Sequence, residues 1–393
     1  MDIRILLLTS EYPPDVGGIA SHVSELAKAL APGAASVEVV HPRSIGAAIQ
    51  ASDHTGPCVH RPGVVKGEPF YQAMLRWWLA RKLARRPVDI LHVHGVRPLA
   101  ATRGLAARTV FTNHSSGFLA RLRTSPARKR RTARLLEHCD YVIGPSDELV
   151  DAARAFGYLG PAAMIPNGVD VERFRPGASP LRREWGIEQD EIVILLARRL
   201  VEKNGVTNFA GAVRLLDPKS FRLVIAGDGP ERSKMIAILS DAHLLDRTRF
   251  LGAVSNFEMP AVYRAADISV LPSLAEATSI SGLEAMACGL PLVGTRVGGI
   301  PAIMADGETG LLVEPGHPEQ FAAALRRLIS ESGLRARLGA AARTRAEQEF
   351  SWPEIARRTL HVYRECLARA VPSGNALGYV ADSSTKSAER LDA

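Results

Sequence analysis

The chain has 393 residues, of which 46% are apolar, and this is sufficient for two domains of ordinary size, each with its own core. No stretch approaches the roughly 20 consecutive apolar residues of a transmembrane helix, and the four cysteines show neither a Cys-x-x-Cys pair nor metal-ligand spacing. These observations exclude a membrane-spanning protein and a structural zinc site, and they favour a reduced, cytoplasmic setting.

The formal net charge of +8 lies in the N-terminal part of the chain. Residues 1–165 contain 21 Lys and Arg against 13 Asp and Glu, whereas residues 166–393 contain 28 of each. The excess is concentrated at 76–86 and at 121–134, a segment that includes Arg128 to Arg131. Such clusters favour nucleic acid, an anionic membrane or an anionic acceptor. The absence of zinc spacing, a recognition helix and a base-stacking motif argues against nucleic acid.

Short apolar runs alternate with helix-like segments along the whole chain. Helices are predicted over 19–30, where Pro32 and Gly33 end the first one, and over a basic segment near 125–138. The predicted strands are 3–9, 36–40, 89–94, 109–113 and 141–144, followed by 192–197, 222–226, 249–251, 268–271, 291–295 and 310–313. This alternation predicts an α/β protein with parallel sheets and covering helices.

Prolines and glycines cluster between Pro166 and Gly177, and we place the domain boundary there. The N-terminal domain is then 1–165 and the C-terminal domain 166–352. A last helix is predicted over 353–370, and we expect it to return the chain to the N-terminal domain. The polar tail at 371–393 is predicted to be disordered.

Two glycine pairs follow predicted strands. Gly17 and Gly18 precede the first helix, where backbone N–H groups without a β-carbon in the way can approach an anion. Gly227 and Gly229 suggest a dinucleotide-binding turn, but Arg232 stands where a third glycine is required, which weakens a dehydrogenase interpretation.

Charged residues follow two strands of the C-terminal half. Arg199 and Lys203 come after the strand at 192–197, where both side chains can point into one crevice. Glu276 and Glu284 are eight positions apart where the strand at 268–271 gives way to a helix, which is the usual ligand site of a doubly wound sheet.

These motifs resemble those of retaining glycosyltransferase family 4. The resemblance implies the α/β GT-B fold, in which two Rossmann-like, doubly wound parallel-sheet domains face a cleft. The similar segments follow the family's order and are Leu6 to Gly18, Ile165 to Asp170, Ala197 to Val206, Val224 to Glu231, Leu283 to Pro291 and Gly298 to Pro301. One departure lies at Asn204, because in many members the lysine directly precedes the glycine.

The resemblance implies roles for the charged residues. Arg199 and Lys203 would stabilise the diphosphate that leaves the donor, Glu276 would bind hydroxyls of the transferred sugar, and His114 would lie close to the reacting sugar. Glu284 would accept hydrogen bonds from the ribose hydroxyls.

Other positions are implied to line the donor. The loop with Gly17 and Gly18 would face the donor phosphates and the acceptor, and the loop with Gly227 would lie near the nucleotide. Thr278 and Ser279 occupy a segment that is commonly rich in glycine and phenylalanine, so their hydroxyls would replace backbone contacts to the sugar.

The resulting hypothesis is a retaining glycosyltransferase that moves a hexose from a UDP- or GDP-sugar to a glycan or lipid-linked acceptor, in cell-surface polysaccharide or glycolipid synthesis. An Asp-x-Asp metal motif is absent, and we expect neither a metal nor another cofactor. A peripheral position on the inner face of the membrane, through the basic N-terminal domain, is a further expectation. A nucleotide-sugar epimerase of the same fold and a non-catalytic nucleotide-sugar-binding protein remain alternatives.

Overall fold

A computed structural model of the chain describes residues 2–15, 17–45, 56–65, 67–114, 118, 126–188 and 190–369. Residues 121–125 of the second basic cluster, residue 370 and the tail at 371–393 therefore lie outside the described residues.

The N-terminal half builds a parallel sheet. Its strands in the described residues are β1 (Arg4–Thr9), β2 (Ser36–Val40), β4 (Cys58–His60), β6 (Ile90–His94), β7 (Arg108–Thr112), β8 (Tyr141–Gly144) and β9 (Ala162–Met164). They are arranged in the order β4-β2-β1-β6-β7-β8-β9. A separate parallel pair is formed by β3 (Arg43–Ser44) and β5 (Gly63–Val64). Residues 5–8 of β1 are fully buried, because helices cover both faces of the sheet.

Helices of this half divide between the two faces of the sheet. They are α1 (Gly18–Leu30), α2 (Phe70–Arg85), α3 (Val96–Leu99), α4 (Pro126–Leu136) and α5 (Asp147–Ala155). One face packs against α2, α4 and α5, and the other packs against α1. Pro32 and Gly33 end α1 as predicted, in a 3₁₀ turn at Ala31–Gly33.

The C-terminal half builds a second parallel sheet. Its strands in the described residues are β10 (Val193–Ala197), β11 (Arg222–Ala226), β12 (Thr248–Gly252), β13 (Ile268–Leu271), β14 (Leu292–Thr295) and β15 (Gly310–Val313). They are arranged in the order β12-β11-β10-β13-β14-β15, so the strand order reverses next to β10 and β13. A ligand crevice is expected at that reversal, at the carboxyl ends of the strands.

Helices cover both faces of the second sheet as well. They are α6 (Leu181–Glu184), α7 (Val206–Val213), α8 (Arg232–Asp241), α9 (Met259–Arg264), α10 (Ile280–Ala287), α11 (Ile300–Ile303), α12 (Pro318–Ser330) and α13 (Ser332–Glu349). The faces are apolar on both sides, with α7 and α12 against one and α10 and α13 against the other. Two parallel sheets in two α/β units confirm the predicted fold class.

The last helix, α14 (Trp352–Ala368), packs against the first sheet beside α1. Ile355 and Tyr363 are buried there, and the Tyr363 hydroxyl lies 2.7 Å from Nδ1 of His92 on β6. The first sheet is therefore covered in part by a helix that follows the second sheet in the chain. Across the described residues, none of the helices combines the length and the apolar character needed to cross a membrane.

Candidate functional site

Two helices, one from each half, begin opposite each other across the cleft. A β-carbon on Gly18, the first residue of α1, would lie 3.5 Å from Cδ1 of Ile280, the first residue of α10. Neither helix has an acidic residue in its first turn. The free N–H groups and the positive ends of both helix dipoles therefore converge on the cleft, which suits an anion.

Gly17 is packed against a carboxylate. A β-carbon at this position would lie 2.9 Å from Oε2 of Glu11, so a larger residue would displace the Glu11 side chain. The glycine pair thus allows the loop to pass close to Glu11 and to the second half of the molecule. Both predicted glycines lie at the cleft, although an acidic neighbour of Gly17 was not foreseen.

Glu276 is held by an arginine that immediately follows β10. Arg198 makes a nearly buried ion pair with the Glu276 carboxylate, and its Nη1 donates to Oγ of Ser273 at 2.7 Å. Arg198 is next to Arg199 in the sequence and is therefore the competing arginine for the diphosphate. Its position instead assigns it to orienting Glu276.

Arg199 and Lys203 are exposed, and neither side chain has a hydrogen-bond or ion-pair partner among the described residues. The Lys203 carbonyl accepts the backbone N–H groups of Leu274 and Ala275 at 2.8 and 3.1 Å, which places the lysine against the loop that carries Glu276. Two uncommitted cations at this edge of the sheet are suited to a polyanionic ligand.

Asn204, the departure from the family pattern, has a structural role in the same loop. Its side chain is buried, and Nδ2 donates to the carbonyl of Arg199 at 2.8 Å. The next residue, Gly205, has φ +64, and a β-carbon there would lie 1.8 Å from the carbonyl oxygen of Pro272. The asparagine and the glycine together fix the turn that presents Arg199 and Lys203.

Glu284 lies on α10 at the wall of a small cavity of about 60 Å³. The cavity is shared by the two halves, because Ser21 and His22 of α1 line it together with Arg173 and Glu284. Oε2 of Glu284 accepts the phenolic hydroxyl of Tyr263 at 2.8 Å. Burial raises the pKa of Glu284 to about 7, against the smaller opposing effects of the Tyr263 hydrogen bond and the Arg173 charge.

The two hydroxyl residues before α10 differ in what their side chains do. Oγ of Ser279 caps the helix by accepting the N–H of Gly282 at 3.2 Å. Oγ1 of Thr278 is buried and has no hydrogen-bond partner within the described part of the chain. Thr278 is therefore the better placed of the two to bind a ligand hydroxyl, since the Ser279 oxygen is already engaged.

Gly227 has a packing reason to be glycine. Its φ is +148, and a β-carbon would lie 1.8 Å from the carbonyl oxygen of Arg198. This close approach of two strand ends explains why residue 227 is a glycine, with no need to invoke a bound ligand. It also brings the Gly227 loop next to Arg198 and hence to Glu276.

Four histidines meet at the carboxyl edge of the first sheet, namely His22, His92, His94 and His114. Nδ1 of His94, at the end of β6, lies 2.9 Å from Nε2 of His114, which follows β7. The ring of His22 on α1 contacts both, with centroid separations of 5.6 and 4.5 Å. Of these residues only His114 was singled out from the sequence. The others were missed because helix α1 and two separate strands bring them together.

Burial dominates the titration of this histidine cluster. It lowers the pKa of His22 to about 4 and that of His92 to about 3, and it holds the pKa values of His94 and His114 well below the ordinary value. Neighbouring imidazoles add to the effect at His94 and His114. The cluster is consequently neutral at pH 7, and its members can donate or accept a hydrogen bond without carrying charge.

Two groups of side chains in the described residues have metal-ligand atoms close together. Ring nitrogens of His22, His94 and His114 lie within 4.8 Å of one another, as do ligand atoms of Glu38, Cys58 and His60. In the first group His94 and His114 are already hydrogen-bonded to each other, and in the second Glu38 is paired with Lys82 at 2.6 Å. Neither group contains the two carboxylates that usually hold Mg²⁺ beside a diphosphate.

The described parts of the two basic clusters are carried mainly by α2 and α4, which pack on one face of the first sheet. On α2, the leucines 75, 79 and 83 are buried in the core, so that stripe serves packing. Trp78 is partly buried against the same core, whereas Trp77 is 65% exposed. The Arg76 guanidinium hydrogen-bonds the carbonyl of Arg103, which joins α2 to the turn that neighbours α4.

Two family sequence models match the chain, one in each half. The sequence model described as "Glycosyltransferase Family 4" matches residues 16–173, and the one described as "Glycosyl transferases group 1" matches residues 179–345.

Relatives and solved structures cover nearly the whole chain. The D-inositol 3-phosphate glycosyltransferase of Frankia alni is 30% identical over 397 residues, covering 91% of this chain and 96% of the relative. The N-acetyl-alpha-D-glucosaminyl L-malate synthase of Bacillus anthracis is 27% identical, covering 76% and 80%. The structure of Anabaena HepE in complex with UDP superimposes with a TM-score of 0.77 at 20% identity, covering 92% of this chain and all of that one, a likeness in fold.

Proposed function

Because the chain belongs to glycosyltransferase family 4 and has the GT-B fold, we propose that it is a retaining hexosyltransferase that takes a UDP- or GDP-sugar as its donor. The observation that supports this best is the arrangement around α10. Its N-terminus faces that of α1, the free cations Arg199 and Lys203 lie at the edge of the same sheet, and Glu284 lines the cavity between the two halves.

The donor would extend through the cleft, with its nucleoside at Glu284 and its sugar at Glu276. Glu284 accepts the ribose hydroxyls, and its buried carboxyl is already oriented by Tyr263. The diphosphate lies between the two helix N-termini, with Arg199 and Lys203 as counter-charges. Glu276, held by Arg198, accepts hydroxyls of the transferred hexose, and Thr278 offers its uncommitted hydroxyl nearby.

Transfer breaks the bond between the anomeric carbon and the β-phosphate oxygen and leaves a nucleoside diphosphate. The charge that develops on that oxygen is stabilised by fixed cations and helix dipoles, which lowers the barrier without a metal ion. His114, neutral and hydrogen-bonded to His94, provides an uncharged polar group beside the reacting sugar. The acceptor oxygen bonds to the anomeric carbon on the face that the phosphate leaves, and its proton passes to the departing β-phosphate oxygen.

For the acceptor we favour a glycan or lipid-linked molecule, reached by docking of the N-terminal domain on an anionic membrane in polysaccharide or glycolipid synthesis. The support is the single basic face that carries Arg76 and Arg103 together with the exposed ring of Trp77. Tryptophan is suited to the headgroup region, and each basic residue near the surface contributes about 1 kcal/mol.

A small anionic acceptor is the second candidate. It is favoured by the names of two relatives, one a D-inositol 3-phosphate glycosyltransferase and the other an L-malate synthase. Both of those acceptors carry negative charge, which the positive N-terminal half of this chain would also attract.

A donor panel tests the proposal. The protein is incubated with UDP- and GDP-hexoses, first alone and then with a lipid-linked glycan, inositol phosphate or malate, and nucleotide release and products are followed by mass spectrometry. We expect slow hydrolysis of one donor and faster release with one acceptor, whose product is an α-linked glycoside when the donor sugar is α-linked. Epimerised donor without nucleotide release would indicate the epimerase alternative, and binding without turnover would indicate a non-catalytic protein.

A further inference from the structure

A pocket lined by four arginines lies on the outer face of the N-terminal domain, apart from the cleft. Arg103 forms one wall, and α4 forms the other with Arg130, Arg131 and Arg134. The volume is about 460 Å³, and none of the described residues that line it is acidic. Within the described residues, none of the four guanidinium groups has an ion-pair or side-chain hydrogen-bond partner.

The walls of the pocket are tied together. Nε2 of His138 lies 3.1 Å from Oγ1 of Thr102, whose hydroxyl also donates to the carbonyl of Leu99 at 2.9 Å. From the other side, Arg76 of α2 hydrogen-bonds the carbonyl of Arg103. The spacing between the wall with Arg103 and the end of α4 is therefore fixed, and the arginines converge without needing a ligand to assemble them.

His138 also lines the pocket, where its Nδ1 is buried and is not offered to a ligand. Burial, together with the nearby Arg103 charge, lowers the pKa of His138. A bound anion would offset the repulsion among the four arginines.

The pocket is separate from the donor site. Arg103 precedes β7 and His138 precedes β8, so the pocket lies toward the amino ends of these strands, whereas His114 follows the carboxyl end of β7. A strand of five residues spans roughly 17 Å. The lining residues of the arginine pocket and of the cavity at Glu284 do not overlap.

We propose that this arginine pocket is a phosphate-binding site, which takes a phosphate ester independently of the donor nucleotide sugar. Guanidinium groups bind phosphate through paired N–H donors, and several of them around one concavity suit a group with two negative charges. The phosphate can belong to a free soluble ester or to a lipid headgroup, and the proposal does not depend on transferase activity.

The test compares two double variants that remove the same charge from the same helix. Arg130→Gln/Arg134→Gln removes two pocket residues, whereas Arg128→Gln/Lys129→Gln removes two exposed charges of α4 that do not line the pocket. All four side chains are exposed, so both variants are expected to fold, which circular dichroism checks. Arg199→Ala/Lys203→Ala serves as the control for phosphate binding at the donor site.

Binding is measured by calorimetry with sn-glycerol 3-phosphate and by sedimentation with vesicles that contain phosphatidic acid. The pocket variant should lose affinity by about tenfold or more, the value expected for lost charged hydrogen bonds. Arg128→Gln/Lys129→Gln should retain its affinity for the soluble ester and lose less than the pocket variant on vesicles, where it removes only general surface charge, and the donor-site variant should retain both probes. Loss confined to the soluble ester identifies a free ligand, and loss confined to vesicles identifies a headgroup. Equal losses in the two α4 variants, or no binding of either probe by the wild type, would overturn the proposal.

Discussion

Arg198 and Glu276 form a nearly buried ion pair, with 8% and 11% of their side chains exposed. The pair connects the end of β10 to the loop after β13, which are neighbouring strands at the reversal of strand order. The carboxylate expected to bind the sugar is thus preoriented by a residue of the adjacent strand, and only part of its hydrogen-bonding capacity remains for a ligand.

Arg198→Gln should destabilise the C-terminal domain, because it leaves the Glu276 carboxylate buried without a counter-charge. Losing one partner of a buried pair costs about 3 kcal/mol or more, which lowers the midpoint of thermal unfolding by roughly 6–12 °C in a domain of this size. Arg199→Gln, one position along and exposed, should change it by about 1–2 °C at most. Similar shifts in both variants would contradict the structural difference between the two arginines.

Glu284→Ala and Glu276→Ala should show which residue binds the nucleoside and which binds the sugar of the donor. Glu284→Ala is expected to weaken binding of UDP or GDP, whereas Glu276→Ala mainly weakens binding of the intact nucleotide sugar. The loss of a charged acceptor corresponds to roughly 10- to 100-fold in affinity. Calorimetry with the nucleotide and with the nucleotide sugar measures both effects, and equal losses for both ligands in both variants would refute the assignment.

Glu284→Gln should stabilise the protein in a pH-dependent way. The folded-state pKa of about 7 lies above the ordinary 4.5, so the folded protein binds the proton more tightly than the unfolded chain. Ionisation therefore costs the wild type stability as the pH rises from about 4.5 to 7, and the full cost of about 3 kcal/mol persists above pH 7. The glutamine variant avoids it.

Urea unfolding of the wild type and of Glu284→Gln at pH 4 and pH 8 measures this cost. The variant should match the wild type at pH 4 and exceed it at pH 8. If the two proteins differ in free energy of unfolding by the same amount at pH 4 and pH 8, burial does not hold the carboxyl group in its protonated form.

Turnover of the donor should persist in excess chelator, since exposed cations and helix N-termini are available to stabilise the leaving diphosphate. Arg199→Ala or Lys203→Ala should lower kcat/KM by roughly 10²- to 10³-fold. Arg214→Ala, an exposed arginine at the end of α7, is the control and should leave kcat/KM unchanged. A strict requirement for added Mg²⁺, or normal kinetics in both cation variants, would refute this mechanism.

Vesicles with anionic lipid should bind the protein at low salt, and binding should decrease as salt screens the basic face. Neutralising residues 128–131 should weaken binding, and so should Trp77→Ala, because the exposed indole would enter the headgroup region. Phe257→Ala is the matched control, since this aromatic ring is 86% exposed but belongs to the second domain. If Trp77→Ala and Phe257→Ala reduce co-sedimentation with vesicles equally, docking through α2 is contradicted.

The strands were the most predictable part of the fold. The predicted bounds of 36–40, 141–144, 222–226, 268–271 and 310–313 agree with β2, β8, β11, β13 and β15. These are short apolar runs covered on both faces, which stand out in the sequence. The short strands β3, β4, β5 and β9 were missed, because two or three partly exposed residues do not produce a recognisable pattern.

The placement of Glu276, Thr278 and Glu284 was predictable because one strand-turn-helix unit supplies all three, and their roles in binding stay predictions. Contacts between units were not predictable. Tyr263 and Arg198 reach the two glutamates from other elements, and His22 meets His94 and His114 only because α1 packs over the edge of the first sheet. Such contacts depend on topology, and no local pattern marks them.

The chain passes between the two domains twice, and the passages are adjacent. The N–H of Val169 donates to the carbonyl of Phe350 at 2.8 Å, and Gly168 lies so close to Trp352 that a β-carbon would overlap the indole ring. We expect two connections held side by side to act as a hinge, so that opening of the cleft is a rotation about this point, with the smallest displacement beside Trp352 and a larger one farther along the cleft.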